Sequence, residues 1–343
     1  MENKQHTVEE PRLEKRENKV VNLMMRYNAV VILVALIVIS SIMSDVFFTP
    51  SNIFNLLRQN VPLAMASLGM LLVVLTGGID LSVGSVTALG GMICGTLIAN
   101  HGLTSSVGLV GAILLVLLVG AAVGAMSGFF VVGLKMAPFV ATLATMTMMR
   151  GAAFMISFGQ PIRLPHDSAA TDFLNAFGSG TIPGTKFPWP VLLAILIVAL
   201  FVFIMNKTVF GRLIIASGSN ETAVRLAGIS VNKYKFFAYV ICGLLCTFGG
   251  IVTTSRVSVS APAIAEGMEL DAIAACVIGG ASLIGGRGTV GNTIIGVLVL
   301  GLIMNVMSLL SIAAYPQQVI KGVIIVLAVF MQYVMSREKS AAA

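Results

Sequence analysis

Charged residues are scarce in this sequence of 343 residues. Asp, Glu, Lys and Arg together make up 10% of it, whereas apolar residues make up 57%. A soluble globular chain carries about 25% charged and about 45–50% apolar residues, so the composition excludes a soluble enzyme and a disordered chain. Apolar runs close to the ~20 residues that cross a bilayer recur along nearly the whole chain. The composition therefore predicts an all-α polytopic membrane protein.

Cysteine and histidine are also few. The four cysteines lie inside apolar runs, and the three histidines lie in three separate polar segments. Cys242 and Cys246 are four residues apart and share a helix face, but cysteines in such runs are usually small buried hydrophobic residues. We therefore predict neither a disulfide scaffold nor a metal site.

Catalytic motifs are missing from the sequence. It contains no H-E-x-x-H motif and no Gly-Lys dipeptide, and the second absence excludes a Walker A phosphate-binding loop. We predict no catalytic residue and no bound cofactor. Ion-coupled carriers need ionisable side chains at mid-membrane depth, and these are almost lacking. If the protein moves a solute uphill, another subunit must supply the energy.

The apolar runs predict ten membrane spans with both termini on the cytoplasmic side. Most Lys and Arg residues then fall in cytoplasmic segments, as the positive-inside rule requires, and they are too widely spread for a nucleic-acid surface. Several spans are short for a bilayer, which predicts broken or re-entrant pieces. The spans lie at about residues 27–44, 61–76, 81–99, 107–131, 138–157, 189–205, 236–254, 270–283, 290–310 and 316–334.

This count also divides the chain into regions. A cytoplasmic tail at 1–26 precedes a transmembrane domain at 27–334, and a second tail follows at 335–343. The transmembrane domain includes a long outer loop at 158–188 and a long inner loop at 206–235. The outer loop is expected to contain a short helix from Ser168 to Phe177, ending at Gly178.

Three glycines four residues apart, Gly120, Gly124 and Gly128, form a smooth face on the fourth span. Small residues at this spacing let a second helix backbone approach closely. We predict helix packing at this face rather than chemistry.

A glycine-rich string interrupts the apolar pattern twice. T-G-G-I-D-L-S-V-G-S begins at Thr76, and G-G-A-S-L-I-G-G begins at Gly279. Both fit G-G-x-[DS]-L-x-x-G, and either a duplicated half or chance explains the recurrence. Paired glycine interruptions at membrane depth often mark a transporter's pathway. The motif positions are Gly77, Gly78, Gly84, Gly279 and Gly280, together with Asp80, which is well placed to cap the following helix.

The inner loop contains a short capped helix between Asn220 and Gly228. Asn220 is a good N-cap, Glu221 suits the positive helix start, and Gly228 is a good C-terminal stop. A helix of about two turns is marginal alone and needs a docking surface. Ala223 and Ala227 present a small, flat face to such a surface. The alternative is a solvated linker that caps itself.

Three stretches, taken in order, resemble the permease subunit of bacterial ribose/galactose-type sugar ABC transporters. They are T-G-G-I-D-L-S-V-G (76–84), F-G-R-L-I-I-A-S-G-S-N-E-T-A (210–223) and E-L-D-A-I-A-A-C-V-I-G-G-A-S-L-I-G-G-R-G-T-V (269–290). The resemblance implies import of a pentose or hexose across the bacterial inner membrane. It also implies a second permease copy or a related permease, a cytoplasmic double-cassette ATPase that binds ATP and Mg, and a periplasmic sugar-binding protein.

The resemblance further implies that the inner loop couples the permease to the ATPase. Val224 and Ala227 stand where the family commonly has Ala and Ser, and we expect these two positions to tune which ATPase fits. The implied coupling residues are Gly211, Arg212, Gly218, Asn220, Ala223, Ala227, Gly228 and Ile229.

Two further surfaces are expected from the implied function. The outer segments 158–188 and 255–271 should receive the binding protein, and side chains near the glycine breaks should border the sugar path. The docking candidates are Arg163, Asp172, Arg256, Glu266, Glu269 and Asp271. The path candidates are Thr76, Ser82, Thr87, Thr142, Thr145 and Asn305.

The exact solute stays open. Permeases for nucleosides or for a furanosyl signalling molecule share the implied architecture. An ATP-independent facilitator or channel is the alternative from another class, and the coupling-loop pattern argues against it because a facilitator needs no ATPase dock.

Overall fold

The computed structural model describes residues 28–100, 106–166 and 168–341, and this part of the chain is almost entirely helical. Two short strands, β1 (Ile162–Arg163) and β2 (Val259–Ser260), pair with each other. The helices are α1 (Asn28–Met43), α2 (Pro50–Leu75), α3 (Val83–Asn100), α4 (Ser106–Val132), α5 (Pro138–Ser157), α6 (Ala169–Gly178), α7 (Trp189–Lys207), α8 (Val209–Ser219), α9 (Glu221–Leu226), α10 (Val231–Val257), α11 (Met268–Ile278), α12 (Val290–Leu309) and α13 (Ala314–Ala341).

The prediction of an all-helical polytopic membrane protein is confirmed. A helix lies at each of the ten predicted spans, and six helices within the described residues are long and apolar enough to cross a membrane: α2, α4, α5, α7, α10 and α12. The predicted tail at 1–26 lies outside the described residues. At the other end, α13 continues as a helix through residues 335–341, which were predicted to form a tail. This segment contains no glycine or proline that would end the helix.

Helix α10 is the centre of the fold. It packs along α4, α2 and α3, and its buried residues are spread over its whole length. Its own glycines face neighbouring backbones: a Cβ at Gly243 would overlap the carbonyl oxygen of Gly120, and one at Gly250 would overlap that of Thr87. The chain therefore packs backbone against backbone at its centre, which suits a medium where apolar side chains gain nothing by leaving lipid.

The glycine face of the fourth span is confirmed as a packing surface. A Cβ at Gly124 would overlap the carbonyl oxygen of Tyr239, and one at Gly120 would meet Gly243 and Thr247. Gly128 lies against Phe236. All four partner residues belong to α10, so this face of α4 is a close packing surface for the central helix.

The two outer segments that were predicted to share a docking role are joined by the small sheet. Ile162 pairs with Ser260 and Arg163 pairs with Val259 in antiparallel register. Ser258 Oγ donates a hydrogen bond of 2.6 Å to Asn175 Oδ1, which ties α6 to the same corner. The predicted short helix of the 158–188 loop is confirmed as α6, with Ser168 immediately before it.

We predict that Gly124→Val lowers the free energy of unfolding by about 1–3 kcal/mol, because the new side chain must push α4 away from α10. Thermal unfolding of the purified protein in detergent measures this loss. Gly111→Val is the control on the same helix, since a Cβ at Gly111 meets nothing within 4 Å. Equal unfolding midpoints for the two variants would contradict the close α4–α10 contact.

Candidate functional site

The inner loop 206–235 folds into two helices, whereas the sequence predicted one. The additional helix is α8, which begins after Thr208, whose Oγ1 accepts a hydrogen bond of 3.4 Å from the Gly211 amide. Gly211, Ile214 and Ser217 of α8 are buried, so the helix lies with one face against the membrane domain. The spacing of these small and apolar residues was the signal for α8 that sequence reasoning missed.

The short helix α9 has the caps that its sequence predicted. Asn220 Oδ1 accepts a hydrogen bond of 2.9 Å from the Ala223 amide. At the other end, the Gly228 amide donates to Arg225 O and the Ile229 amide donates to Val224 O, with Gly228 at φ +77°. This is a Schellman motif, which needs a left-handed residue at the position of Gly228.

Ion pairs tether α9 to the start of α10. Lys235 Nζ lies 2.7 Å from Glu221 Oε2, and Arg225 pairs with Glu221 Oε1 within α9. Arg225 Nη2 also donates a hydrogen bond of 3.1 Å to Asn232 Oδ1. The hydrogen bond from Lys235, with a second from Arg225, lowers the pKa of Glu221 below its ordinary value of 4.5. The tether is therefore intact at neutral pH and is lost only when acid protonates this carboxylate.

The six residues of α9 separate into an inner and an outer side. Val224 is only 8% exposed and faces the rest of the chain, whereas Leu226 is 84% exposed. Ala223 and Ala227 are exposed beside Leu226, so the flat alanine face carries one large apolar side chain. Val224 was expected to tune the fit of a partner. Its side chain is instead buried against its own chain, so it is not part of the exposed face of α9.

Leu226 is the residue of this face that sequence reasoning missed. It stands three positions after Ala223, so the two side chains lie on neighbouring positions of one helix face. Together with Ala223 and Ala227, Leu226 forms the exposed apolar surface of α9.

The two glycine strings end their helices with the same motif as α9. After α2, the amides of Gly77 and Gly78 donate to Val74 O and Val73 O. After α11, the amides of Gly280 and Ala281 donate to Val277 O and Cys276 O in the same pattern. Gly77 and Gly280 have φ values of +78° and +82°, as this motif requires. Both strings therefore stop a helix while satisfying its last carbonyl groups.

Each stop is followed by a turn that a side chain orders, three residues after the left-handed glycine in the first string and two residues after it in the second. Asp80 Oδ1 accepts hydrogen bonds from the Ser82 amide at 2.9 Å and the Ser82 hydroxyl at 2.6 Å. Ser282 Oγ, in the second string, accepts one of 3.3 Å from the Ile284 amide. Asp80 was predicted to cap α3, but its carboxylate orders the turn before the helix instead, because α3 begins only at Val83.

The two strings and α8 meet at one point, which we call the glycine junction: Leu75, Gly77, Gly218, Ser219, Gly285 and Gly286. The Gly286 amide donates a hydrogen bond of 2.9 Å to Leu75 O, and Ser219 Oγ donates one of 3.3 Å to Gly286 O. A Cβ at Gly218 would overlap Leu75 O and lie 2.7 Å from the Gly286 amide nitrogen. The junction connects the end of α8 directly to both interrupted helices.

The residues predicted for coupling therefore have different surroundings. Gly218 belongs to the glycine junction, and Gly211 lies against the backbone of Met205. Arg212, Ala223, Ala227 and Gly228 are exposed, and Asn220 caps α9.

Most of the predicted path residues are buried in this chain. Thr76, Thr87 and Thr145 donate hydrogen bonds to backbone carbonyl groups of their own helices, as Thr commonly does in membrane helices. Thr142 Oγ1 donates to Pro138 O and to Ile79 O, and Ser82 bonds Asp80. Asn305 differs from these five, because it is part of the lining of a cavity.

The predicted docking residues also differ in burial: some are exposed, and others are packed between helices. Arg163, Asp172 and Glu266 are exposed, and Arg256 is half-buried at the end of α10. Asp271 pairs with Lys321 of α13, and Glu269 lies against Gly84 at the start of α3. Asp271 therefore joins α11 to α13, and the Glu269 carboxylate lies between α11 and α3.

The family model described as "Branched-chain amino acid transport system / permease component" matches residues 52–329. The chain is 39% identical over 308 residues to the ribose import permease protein RbsC of Escherichia coli (strain K12), covering 90% of this chain and 94% of that protein. It is 39% identical over 307 residues to RbsC of Bacillus subtilis (strain 168), with coverages of 89% and 91%. It is 34% identical over 314 residues to the L-arabinose ABC transporter permease protein AraH of Azospirillum brasilense, with coverages of 91% and 88%. No solved structure matches the chain.

We predict that Gly218→Ala destabilises the protein by about 1–3 kcal/mol, because its methyl group separates Leu75 O from the Gly286 amide. Thermal unfolding in detergent reports the change. Ser219→Ala keeps every backbone contact and removes only the hydroxyl, which donates to Ile215 O at 3.0 Å and to Gly286 O at 3.3 Å, so it should shift the midpoint much less. A Gly218→Ala protein as stable as the Ser219→Ala protein would show that the junction tolerates a side chain.

Proposed function

Because the chain belongs to the family of transport-system permease components, we propose that it is the membrane subunit of an ABC importer for a small sugar. It passes a pentose or hexose from a periplasmic binding protein to the cytoplasm of a bacterium. Relatives that align with about nine-tenths of this chain are named for ribose and arabinose, which favours a pentose. Ten spans, with both termini inside, complete the proposed topology.

The observation that carries the coupling role is the exposed face of α9. An importer must convert closure of its ATPase into a change of the membrane subunit, and this requires a rigid cytoplasmic element that fits a cleft of the ATPase. Helix α9 is rigid because both ends are capped and Glu221 is tethered to Lys235. Its outer side presents Ala223, Leu226 and Ala227, a small apolar surface without charge.

The glycine junction supplies a route from this surface into the membrane domain. Helix α8 joins α9 at Asn220, and its last turn contacts the ends of both glycine strings. A displacement of α9 would therefore move Leu75 and Gly286 together. These contacts form a continuous physical connection. Coupling energies between mutations along it, measured in double-mutant cycles, show whether it transmits motion.

In this proposal, partner subunits hydrolyse the ATP. A double-cassette ATPase binds ATP and Mg in the cytoplasm, and a second permease copy or a related permease completes the membrane part. The permease itself holds no cofactor and hydrolyses no nucleotide. On the outer side, the exposed Arg163 of β1 and the exposed Asp172 of α6 are presented to the binding protein. Exposed charges of this kind set the register and rate of encounter more than the affinity.

We predict that Ala223→Glu abolishes binding of the ATPase and sugar uptake together. The substitution forces an unpaired charge into an apolar contact, which costs several kcal/mol. Folding is expected to survive because Ala223 is exposed. Co-purification of the ATPase and uptake into proteoliposomes measure both losses.

The control for this prediction is Ala137→Glu, the same substitution at an exposed position of another proposed cytoplasmic loop. It should leave assembly and uptake unchanged. Normal ATPase binding and uptake in the Ala223→Glu protein would exclude α9 as the coupling element.

We predict that Asp172→Lys weakens stimulation of the ATPase by the binding protein, with a larger loss at low salt because exposed charges are screened. Asp45→Lys, an exposed charge outside the sheet on the same proposed side, is the control. Unchanged stimulation of the Asp172→Lys complex at low salt would show that the binding protein docks on another surface.

A further inference from the structure

A cavity of about 240 Å³ lies between α2, α11, α12 and α13. Leu63 and Leu300 are among its apolar lining residues. Each of the four helices also contributes polar groups to its wall. Polar groups in a membrane domain are expensive and by default indicate a functional site. The polar lining is Gln59, Asn60, Asp271, Asn305, Ser308 and Lys321.

The charges of the cavity cancel. Lys321 Nζ lies 2.9 Å from Asp271 Oδ1 and donates a hydrogen bond of 3.0 Å to Oδ2. The two side chains retain 22% and 20% exposure, so both can reach a molecule in the cavity. A site whose cation and anion neutralise each other offers no net attraction to an ion. It suits a neutral molecule that can accept from the ammonium group and donate to the carboxylate.

The amide groups of the cavity are held in place. Asn60 Nδ2 donates a hydrogen bond of 2.7 Å to Leu56 O, which leaves Asn60 Oδ1 as an acceptor. Its amide lies against Gly301, where a side chain would overlap it. Asn305 exchanges two hydrogen bonds with Asn52, of 2.9 and 3.2 Å. Fixed donors and acceptors side by side, with an apolar wall, match the adjacent hydroxyl groups and the C–H face of a sugar.

We propose that this cavity binds a neutral polyol with adjacent hydroxyl groups, such as a pentose, during its passage through the permease. The inference rests on the proposed function and on its orientation, in which α2 begins on the outer side. The cavity then lies in the outer half of the protein, where a sugar released by the binding protein arrives first.

Protection of an introduced cysteine tests the proposal. All four native cysteines are buried, so alkylation by a thiol reagent measures the introduced exposed cysteine alone. Gln59→Cys places a thiol at the exposed rim of the cavity, and Asn55→Cys places one on the same helix outside it. The complete permease–ATPase complex is used without the binding protein, so that a docked protein cannot shield either site. D-Ribose and L-arabinose are the probes.

Millimolar ribose or arabinose should slow alkylation of Gln59→Cys several-fold and leave the rate at Asn55→Cys unchanged. Equal rates at Gln59→Cys with and without either sugar, or equal protection at both positions, would overturn the proposal. Uptake by the same complex with the binding protein added is read separately. Uptake without protection refutes the cavity and leaves the importer function standing, whereas protection without uptake supports the cavity and contradicts the importer function.

A second variant separates a bound sugar from a change of shape. Asn60→Leu, added to Gln59→Cys, removes the free acceptor while keeping the side-chain volume. It should raise the sugar concentration needed for half-protection about tenfold, the loss expected for one hydrogen bond. Asn55→Leu in the same background should not change it. Unaltered half-protection in the Asn60→Leu protein would show that the sugar does not bind in the cavity.

Discussion

A helix that stops inside packed protein leaves its last carbonyl groups without partners, and each such buried group costs several kcal/mol. Much of this structure follows from that constraint. The ends of α2 and α11 satisfy their carbonyl groups through the amides of the next two residues, which requires glycine at a left-handed position. The stop after α2 is then covered by backbone at the glycine junction, and the stop after α11 lies with Gly279 against the backbone of Asn292 in α12. The interruptions are therefore rigid points of contact rather than loose ends.

The sequence could predict the elements whose signals are local. The ten apolar runs, the caps of α9, the packing face of α4 and the helix in the outer loop were each visible as composition or spacing, and each has a counterpart in the structure. Helix caps and glycine faces are read reliably because the residues that create them are neighbours in the chain.

Long-range contacts could not be predicted in the same way. Nothing near Gly218 in the sequence indicates that it touches both Leu75 and Gly286, because such a contact depends on how three distant segments pack. For the same reason, the five hydroxyl-bearing path candidates could not be separated from Asn305: all six side chains are polar, but only packing decides which of them bond their own helix and which line a cavity. Val224 and Leu226 are both apolar and differ only in the side of α9 that they occupy.

The pairing of Lys321 with Asp271 has an electrical consequence. The free energy of a single charge changes by about 2.3 kcal/mol for every 100 mV of membrane potential that it crosses. A neutral sugar held beside a cation and an anion that stay with the protein carries no charge across that field. In the proposed importer, the membrane potential would therefore neither drive such a cargo inward nor hold it back. The direction of transport must come from the order in which the outer and inner faces open, and the membrane can depolarise without reversing it.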